Sequence, residues 1–563
     1  MNLAATLIAL KARHSAGPFL KAVGDPAAAQ RRLLETILQR NRDTEYGRKF
    51  RFSSIRDLAG YQHEVPIVEY EDIRVEIDRM TRGESNVLTA EAPVMFAQTS
   101  GTTGAPKFIP VTPTCQKHGG TATWLHFARC DHPLMLGGKI IAVVSPAVEG
   151  HTPAGIPFGS TSGMVVRELP KIVQKTYAVP YDVFEIADYE AEYYALLRFG
   201  LPENITLLAS ANPSSVLMLA EMADRLATPL IRDIHDGKLG AEFDIERPLR
   251  EALAAKLAPD PARAKELERM REMRDGRLLP ADYWPRLALI GCWKGGTVGS
   301  YVERFPEWFD PDGRGMPPVR DMGYLASEAR MSVPVSDNGA GGVLTVNLNV
   351  FEFIPVEEVE ANPDDRKAWS PLGVHQIEAG KEYHVLITTT GGLYRYDIND
   401  IIEVVDRWHG TPVVVFRRKG RGMTNLTGEK VCVNHLIEAI GKAAESAGLQ
   451  ASHFKAETDG AESRYIFKVE FEHPPSEEVA RRFLAAMDGA LGECNLEWKS
   501  KRASKRLRDP VLQVMKPGWY ERGKQQLVAD GKRLFQSKTI LLDAKAGYQP
   551  EPGETEFEIG GNS

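Results

Sequence analysis

The string Thr99-Ser100-Gly101-Thr102-Thr103-Gly104-Ala105-Pro106-Lys107 limits what this chain can fold into more than any other stretch of it. It follows the apolar run Val94–Gln98, so it leaves the end of a strand. Gly101 and Gly104 let the backbone turn tightly and approach an anion closely. The hydroxyls of Ser100, Thr102 and Thr103, with neighbouring N–H groups, can ring phosphate oxygens. Lys107 adds a point charge. The spacing is not that of the GxxxxGK phosphate loop, which continues with Ser or Thr.

A strand feeding such a loop implies an α/β setting, and the rest of the chain supplies one. Apolar runs bounded by Gly, Pro and Ser mark strands at Lys139–Ser145, Ile205–Ala209, Leu287–Cys292, Gly342–Val346, Tyr383–Thr388 and Pro412–Phe416. Helical patterns lie among them at Pro213–Asp236 and Arg247–Arg274, and before them at Ala28–Arg40 and Glu71–Met80. Leu3, Leu7 and Leu10 fall at helical spacing and predict an N-terminal amphipathic helix rather than a signal peptide. With 563 residues the chain exceeds one core. The glycine-rich stretch Arg417–Gly428 reads as a hinge. It divides a large domain of mixed sheets and helices, 1–416, from a small mobile α+β domain, 429–547. In the latter the expected order is helix Asn434–Ala447, strands His453–Glu457 and Tyr465–Glu472, helix Ser476–Glu493, strand Leu512–Met515 and helix Trp519–Asp530. The acidic, Gly/Pro-rich residues 548–563 read as a flexible tail.

The scattered Cys115, Cys130, Cys292, Cys432 and Cys494 form no CxxC pair, which argues against a zinc site and against a disulfide framework. No apolar run approaches the ~18 residues of a membrane span, so no membrane association and a cytoplasmic location are expected. The net charge of −7 argues against nucleic acid as a partner. The basic run Lys499–Arg508 lacks interleaved aromatics and reads as a solvated face or loop.

Thr99–Lys107 resembles the nucleotide loop of the adenylate-forming superfamily, which contains acyl-CoA synthetases, nonribosomal-peptide adenylation domains and luciferases. Its continuation, Phe108-Ile109-Pro110-Val111-Thr112, is similar to that of the acyl-acid amido synthetases, the auxin-responsive family that conjugates hormone-like acids to amino acids. Further strings resemble that family in the same order: Leu208–Ala211 on the acyl-acid side, Phe351-Glu352-Phe353-Ile354-Pro355, Leu386–Thr389, Gly392–Tyr396 and Gln536-Ser537-Lys538-Thr539.

The resemblance implies ATP and Mg²⁺ as cofactors, and a carboxylic acid with an amino acid or other amine as small-molecule partners. Tyr324-Leu325-Ala326-Ser327-Glu328 resembles the second nucleotide motif: Tyr324 would stack on adenine, Ser327 would join the nucleotide site, and Glu328 would hold Mg²⁺. Ala329-Arg330 departs from the small or polar residues usual there. Tyr394–Asp400 resembles the third motif, with Asp400 as acceptor for the ribose hydroxyls. Asn399 stands where the family usually has Gly, a change that Asn can accommodate in the left-handed region. Gly295 and Gly296 resemble the loop beside adenine, and Arg418 is a further nucleotide-binding candidate. Lys538 is the candidate mobile-domain lysine. Adenylation brings two anions together, and Mg²⁺, Lys107 and Lys538 would supply the positive charge this needs. Two alternatives are a thioester ligase using the same first step and a non-catalytic nucleotide-binding protein.

Overall fold

The computed structural model describes residues 3–99, 107–117, 120–295, 301–363, 365–520, 522–523, 542–543 and 550–560. They fall into two compact units, Met1–Gln98 with Phe108–Arg417, and Thr99–Lys107 with Arg418–Ser563.

Three helices of the first unit start by one local device, an Asx cap followed by proline. Asp25, Asn212 and Asp260 accept from Ala28, Ser214 and Arg263 N–H at 3.1, 2.9 and 2.9 Å. Pro26, Pro213 and Pro261 occupy the next position, where no N–H is needed. Each of the two long helical patterns is broken in the middle. The first gives Pro213–Arg225 and Ala227–Asp236, and the second gives Arg247–Ala254 and Pro261–Met273. Gly237, left-handed at φ 70°, ends one of these helices. A Cβ there would lie 2.4 Å from the Pro259 nitrogen.

These helices pack around a parallel sheet ordered Lys139–Val143, Ile205–Ser210, Leu289–Gly291, Val319–Arg320. The strands are largely buried, as expected for a parallel sheet covered on both faces. All four run the same way, so the loops beginning at residues 144, 211, 292 and 321 leave one edge, where open α/β sheets place their ligands.

A second, antiparallel sheet orders Leu372–Gly373, Val350–Pro355, Glu382–Thr388, Tyr396–Trp408, Thr411–Lys419, Gly342–Leu344 and Ser332–Val333. Three of the strings that carry the family resemblance therefore sit side by side, with Phe351 opposite Ile387 and Ile387 opposite Tyr396. A third sheet orders Lys107–Val111, Met95–Thr99, Pro157–Gly159 and Gly150–His151.

The N-terminal helix Leu3–Val23 forms as its spacing predicts, but it is turned the other way. Leu3, Leu7 and Leu10 are 68%, 41% and 58% exposed, while Ala5, Ala9, Ala12, Ala16 and Phe19 are buried. Small side chains let this helix lie close to the helix Gly120–Asp131, and that close approach decides the face.

In the second unit, helices Val433–Ala447 and Glu477–Cys494 pack on a five-stranded sheet. Its order is Leu542–Asp543, Ala451–Asp459, Arg464–Phe471, Val511–Met515, Thr555–Ile559. Leu436, Phe467, Phe483, Met487 and Trp498 lie in its core.

One expectation needs correction here. Residues 550–560 are not a free tail, because Thr555–Ile559 pairs antiparallel with Val511–Met515. Glu551 anchors them: it accepts from the buried Lys468 at 2.6 Å and from Trp519 Nε1 at 2.9 Å. The basic run begins inside the helix Leu496–Ala503, and Lys499, Lys505 and Arg508 are exposed, so of the two expected readings it is a solvated face rather than only a loop. There Trp498 and Arg502 donate to Asp488 at 2.7 and 2.8 Å, and Lys501 lies 3.5 Å from Glu497. The glycine-rich stretch, in which the boundary between the two units falls, is strand as far as Lys419 and strand again at Met423–Thr424, leaving residues 420–422 between them. The buried Glu429 then fixes the turn that follows, accepting from Leu426 N–H and Tyr465 O–H, each at 2.5 Å. Most of the expected helix Trp519–Asp530 lies outside the described residues.

Candidate functional site

Two loops leaving the parallel sheet are stapled together by one carboxylate. Asp321, which follows Val319–Arg320, accepts from Lys294 N–H through Oδ2 and from Gly323 N–H through Oδ1, each at 2.6 Å. Trp293 adds two more ties, its Nε1 donating to Gly323 O and its N–H to Ala211 O, both at 2.9 Å. Lys294 Nζ donates to Asp337 O at 2.6 Å. Burial pushes Asp321 up to about 6, against the pull of these donors and of the Lys294 charge. Gly295 approaches Ala340 so closely that a Cβ would lie 2.8 Å from the alanine methyl. Asp321 is not among the site residues expected from the motifs. Its signal is Asp-x-Gly directly after a strand, an Asx turn whose glycine is left-handed at φ 85°.

The chain then enters Tyr324. Its N–H donates to Ser332 Oγ at 2.9 Å and its hydroxyl to Asp400 Oδ2 at 2.5 Å. Its ring centroid lies 5.7 Å from that of Phe416. Burial, then the Asp400 charge and its hydrogen bond, then the Glu328 charge, hold the phenol far above its ordinary value, so it remains a donor. Ser327 and Glu328 are half-buried in a tight reversal in which Ala326 N–H donates to Ala329 O at 3.0 Å. The Glu328 charge also acts on Tyr396, which burial already pushes up.

Asp400 reaches this place from the other sheet. It is buried on the strand Tyr396–Trp408, directly after Asn399, whose φ is 55°. The left-handed backbone expected of a glycine substitute is present, and Asn399 N–H donates to Asp397 Oδ1 at 2.8 Å. The entry to this strand is fixed from below by Arg395, itself left-handed at φ 46°. Its Nε lies 3.1 Å from both Glu352 oxygens, and its Nη1 donates to Gln62 O and Val65 O at 2.8 and 2.7 Å. Two family strings thus meet in one buried ion pair. Spacing could not reveal it, because 43 residues separate the partners.

Arg330, the departure from the family pattern, has a structural task. It donates to Met322 O at 3.0 Å and lies over Gly120, where a Cβ would fall 2.1 Å from its Cδ. Burial pushes its guanidinium down to about 10.

The first unit therefore brings together Gly295, Tyr324, Ser327, Glu328 and Asp400 through the loops and sheets just described. Lys107 opens the strand Lys107–Val111 and Arg418 lies near the end of Thr411–Lys419, both half-buried. In the second unit, Lys430 Nζ donates to Thr99 Oγ1 at 2.8 Å, where the phosphate-loop string begins. Ser100, Gly101, Thr102, Thr103, Gly296 and Lys538 lie outside the described residues. Among the described residues no three His, Cys, Asp or Glu side chains cluster as metal ligands, and no helix is long and apolar enough to cross a membrane.

Three family models match the chain in order: the GH3 family N-terminal domain over residues 16–313, the central domain over 342–419 and the C-terminal domain over 434–544. A jasmonoyl--L-amino acid synthetase of Nicotiana attenuata is 23% identical over 538 residues, covering 92% of this chain and 91% of its own. An indole-3-acetic acid-amido synthetase of Arabidopsis thaliana is 23% identical over 538 residues, covering 90% and 88%. Among solved structures, a GH3.15 acyl acid amido synthetase shares the fold with a TM-score of 0.63, at 21% identity over 96% of both chains.

Proposed function

The chain belongs to the GH3 family, and on that premise we propose that it is an ATP-dependent ligase that adenylates a carboxylic acid and transfers the acyl group to the amine of an amino acid, forming an amide. The observation that supports this reading most is the meeting of the Tyr324 hydroxyl and the Asp400 carboxylate at 2.5 Å, with the Glu328 charge acting on the same phenol. The relatives named above are synthetases of jasmonoyl and indole-3-acetyl conjugates, which supports a small-molecule acid as the substrate class.

In the first step a carboxylate oxygen attacks the α-phosphorus of ATP, the bond to the β-phosphate oxygen breaks, and pyrophosphate leaves. In the second the amine nitrogen attacks the acyl carbon, the bond to AMP breaks, and a proton is released with AMP. Asp400 accepts from the ribose hydroxyls, and Tyr324 and Gly295 flank the base. The hydroxyls of Ser100, Thr102 and Thr103, with the Gly101 backbone and Lys107, hold phosphate oxygens. Ser327 and Arg418 complete the nucleotide site, with Gly296 beside the base. Lys538 brings positive charge to the reacting phosphate from a small domain hinged within residues 417–428.

A single carboxylate suits Mg²⁺, which commonly takes one or two protein carboxylates and fills its shell with phosphate oxygens and water. Glu328 would hold it, and the ion would neutralise charge on the phosphates. Purified protein with MgATP and a panel of aromatic and aliphatic acids tests the reading. AMP and pyrophosphate should rise only when an acid and an amino acid are both present. Glu328→Ala should lower adenylation by about 10²–10³-fold. Product formation only with coenzyme A in place of the amino acid, or a wild-type rate in Glu328→Ala, would overturn it.

A further inference from the structure

We propose that the Tyr324 hydroxyl is a positioning group for sugar recognition: it sets the rotation of the Asp400 carboxylate and couples the recognition of base and ribose. This rests on the adenylate-forming reading, in which Asp400 meets the ribose. The O–H···O contact of 2.5 Å is at the short, charge-assisted end of the range. Both groups are buried, at 8% and 2% exposure, so water does not compete for it.

Each partner is held by further contacts of its own. Tyr324 hangs from the loop after Val319–Arg320. Its N–H is tied to Ser332 Oγ, its carbonyl accepts from Met331 N–H at 2.9 Å, and its ring lies beside Phe416. Asp400 stands on the antiparallel sheet behind the left-handed Asn399. The bond therefore joins the Ser332 and Phe416 contacts in tying the loop after Val319–Arg320 to the antiparallel sheet that carries Asp400. A carboxylate that must receive sugar hydroxyls gains from having its plane set beforehand, since ordering it on binding would cost affinity. A phenylalanine would keep the ring and lose that control.

Calorimetric titration of the full-length protein with ATP and with 2′-deoxy-ATP, both with Mg²⁺, isolates the effect without knowledge of the acid. Wild type should prefer ATP. Tyr324→Phe should lower that preference by about tenfold while retaining most of the affinity for 2′-deoxy-ATP. Ser332→Ala frees the tyrosine backbone without altering either side chain, and should lower the same ratio by about threefold. In an Asp400→Asn background, Tyr324→Phe should change the ratio no further. Equal weakening of both nucleotides by Tyr324→Phe would mean a merely structural tyrosine and overturn the proposal. An unchanged ratio in Asp400→Asn would instead remove Asp400 from the sugar, and the underlying assignment with it.

Discussion

Replacing Glu352 by Gln would test whether the buried pair with Arg395 supports the strand that carries Asp400. The exposures are 1% for Glu352 and 4% for Arg395. The guanidinium makes contacts of 3.0–3.1 Å to the carboxylate and two further bonds to backbone carbonyls. Glutamine conserves volume and the bond from Gln62, so packing changes little. What changes is that a buried cation loses its counter-charge. Breaking one side of such a pair costs about 3–5 kcal/mol, or roughly 10²–10⁴ in the folded ratio.

With a urea slope of about 3 kcal/mol/M for a large unit, the midpoint should fall by about 1–2 M. Equilibrium unfolding followed by tryptophan fluorescence measures it. The double variant Glu352→Met/Arg395→Met should recover most of the loss, because burying neither charge avoids the desolvation. Since Arg395 directly precedes Tyr396–Asp400, ATP affinity should fall along with stability in the single variant. A midpoint shift worth less than about 1 kcal/mol, or a double variant no better than either single one, would refute a dry, structurally essential pair.

Asp321 should give a pH signature opposite to that of an ordinary surface carboxylate. Its native value of about 6 exceeds the ordinary 3.8. Its contribution to stability is therefore fully present below pH ~4 and is lost as pH rises through 6, by about 3 kcal/mol in all. Urea midpoints between pH 4 and 7 should show this slope in wild type and lose it in Asp321→Asn. At the left-handed Asn399, Gly should be neutral within about 0.5 kcal/mol, whereas Val should cost about 1–3 kcal/mol and weaken ATP binding by calorimetry. In the second unit, Lys468 is 2.9 Å from Glu457 and 2.6 Å from Glu551. Lys468→Met should destabilise that unit by about 3–5 kcal/mol in the same unfolding assay. Glu551→Gln should release the strand Thr555–Ile559 and speed its cleavage in limited proteolysis.

Local chemistry determined much of this protein in its sequence. Asx-Pro pairs started helices, β-rich runs between glycines and prolines became strands, and a residue type tolerant of the left-handed region stood where the backbone turns that way. Each depends on a few neighbouring residues, so each could be read directly. The family was legible for another reason, since the strings that carry the resemblance are short, ordered and chemically restricted. Tertiary structure alone decided the rest. Spacing drew the N-terminal helix, but only packing against Gly120–Asp131 chose its alanine face over its leucine face. An acidic, proline-containing C-terminal segment read as free until Lys468 and Trp519 supplied partners for Glu551 and a sheet edge accepted Thr555–Ile559. The Arg395–Glu352 pair, the Asp321 staple and the Tyr324–Asp400 bond are in the same position. Their energies come from burial and from partners distant in sequence, and neither exists until the sheets have been brought together.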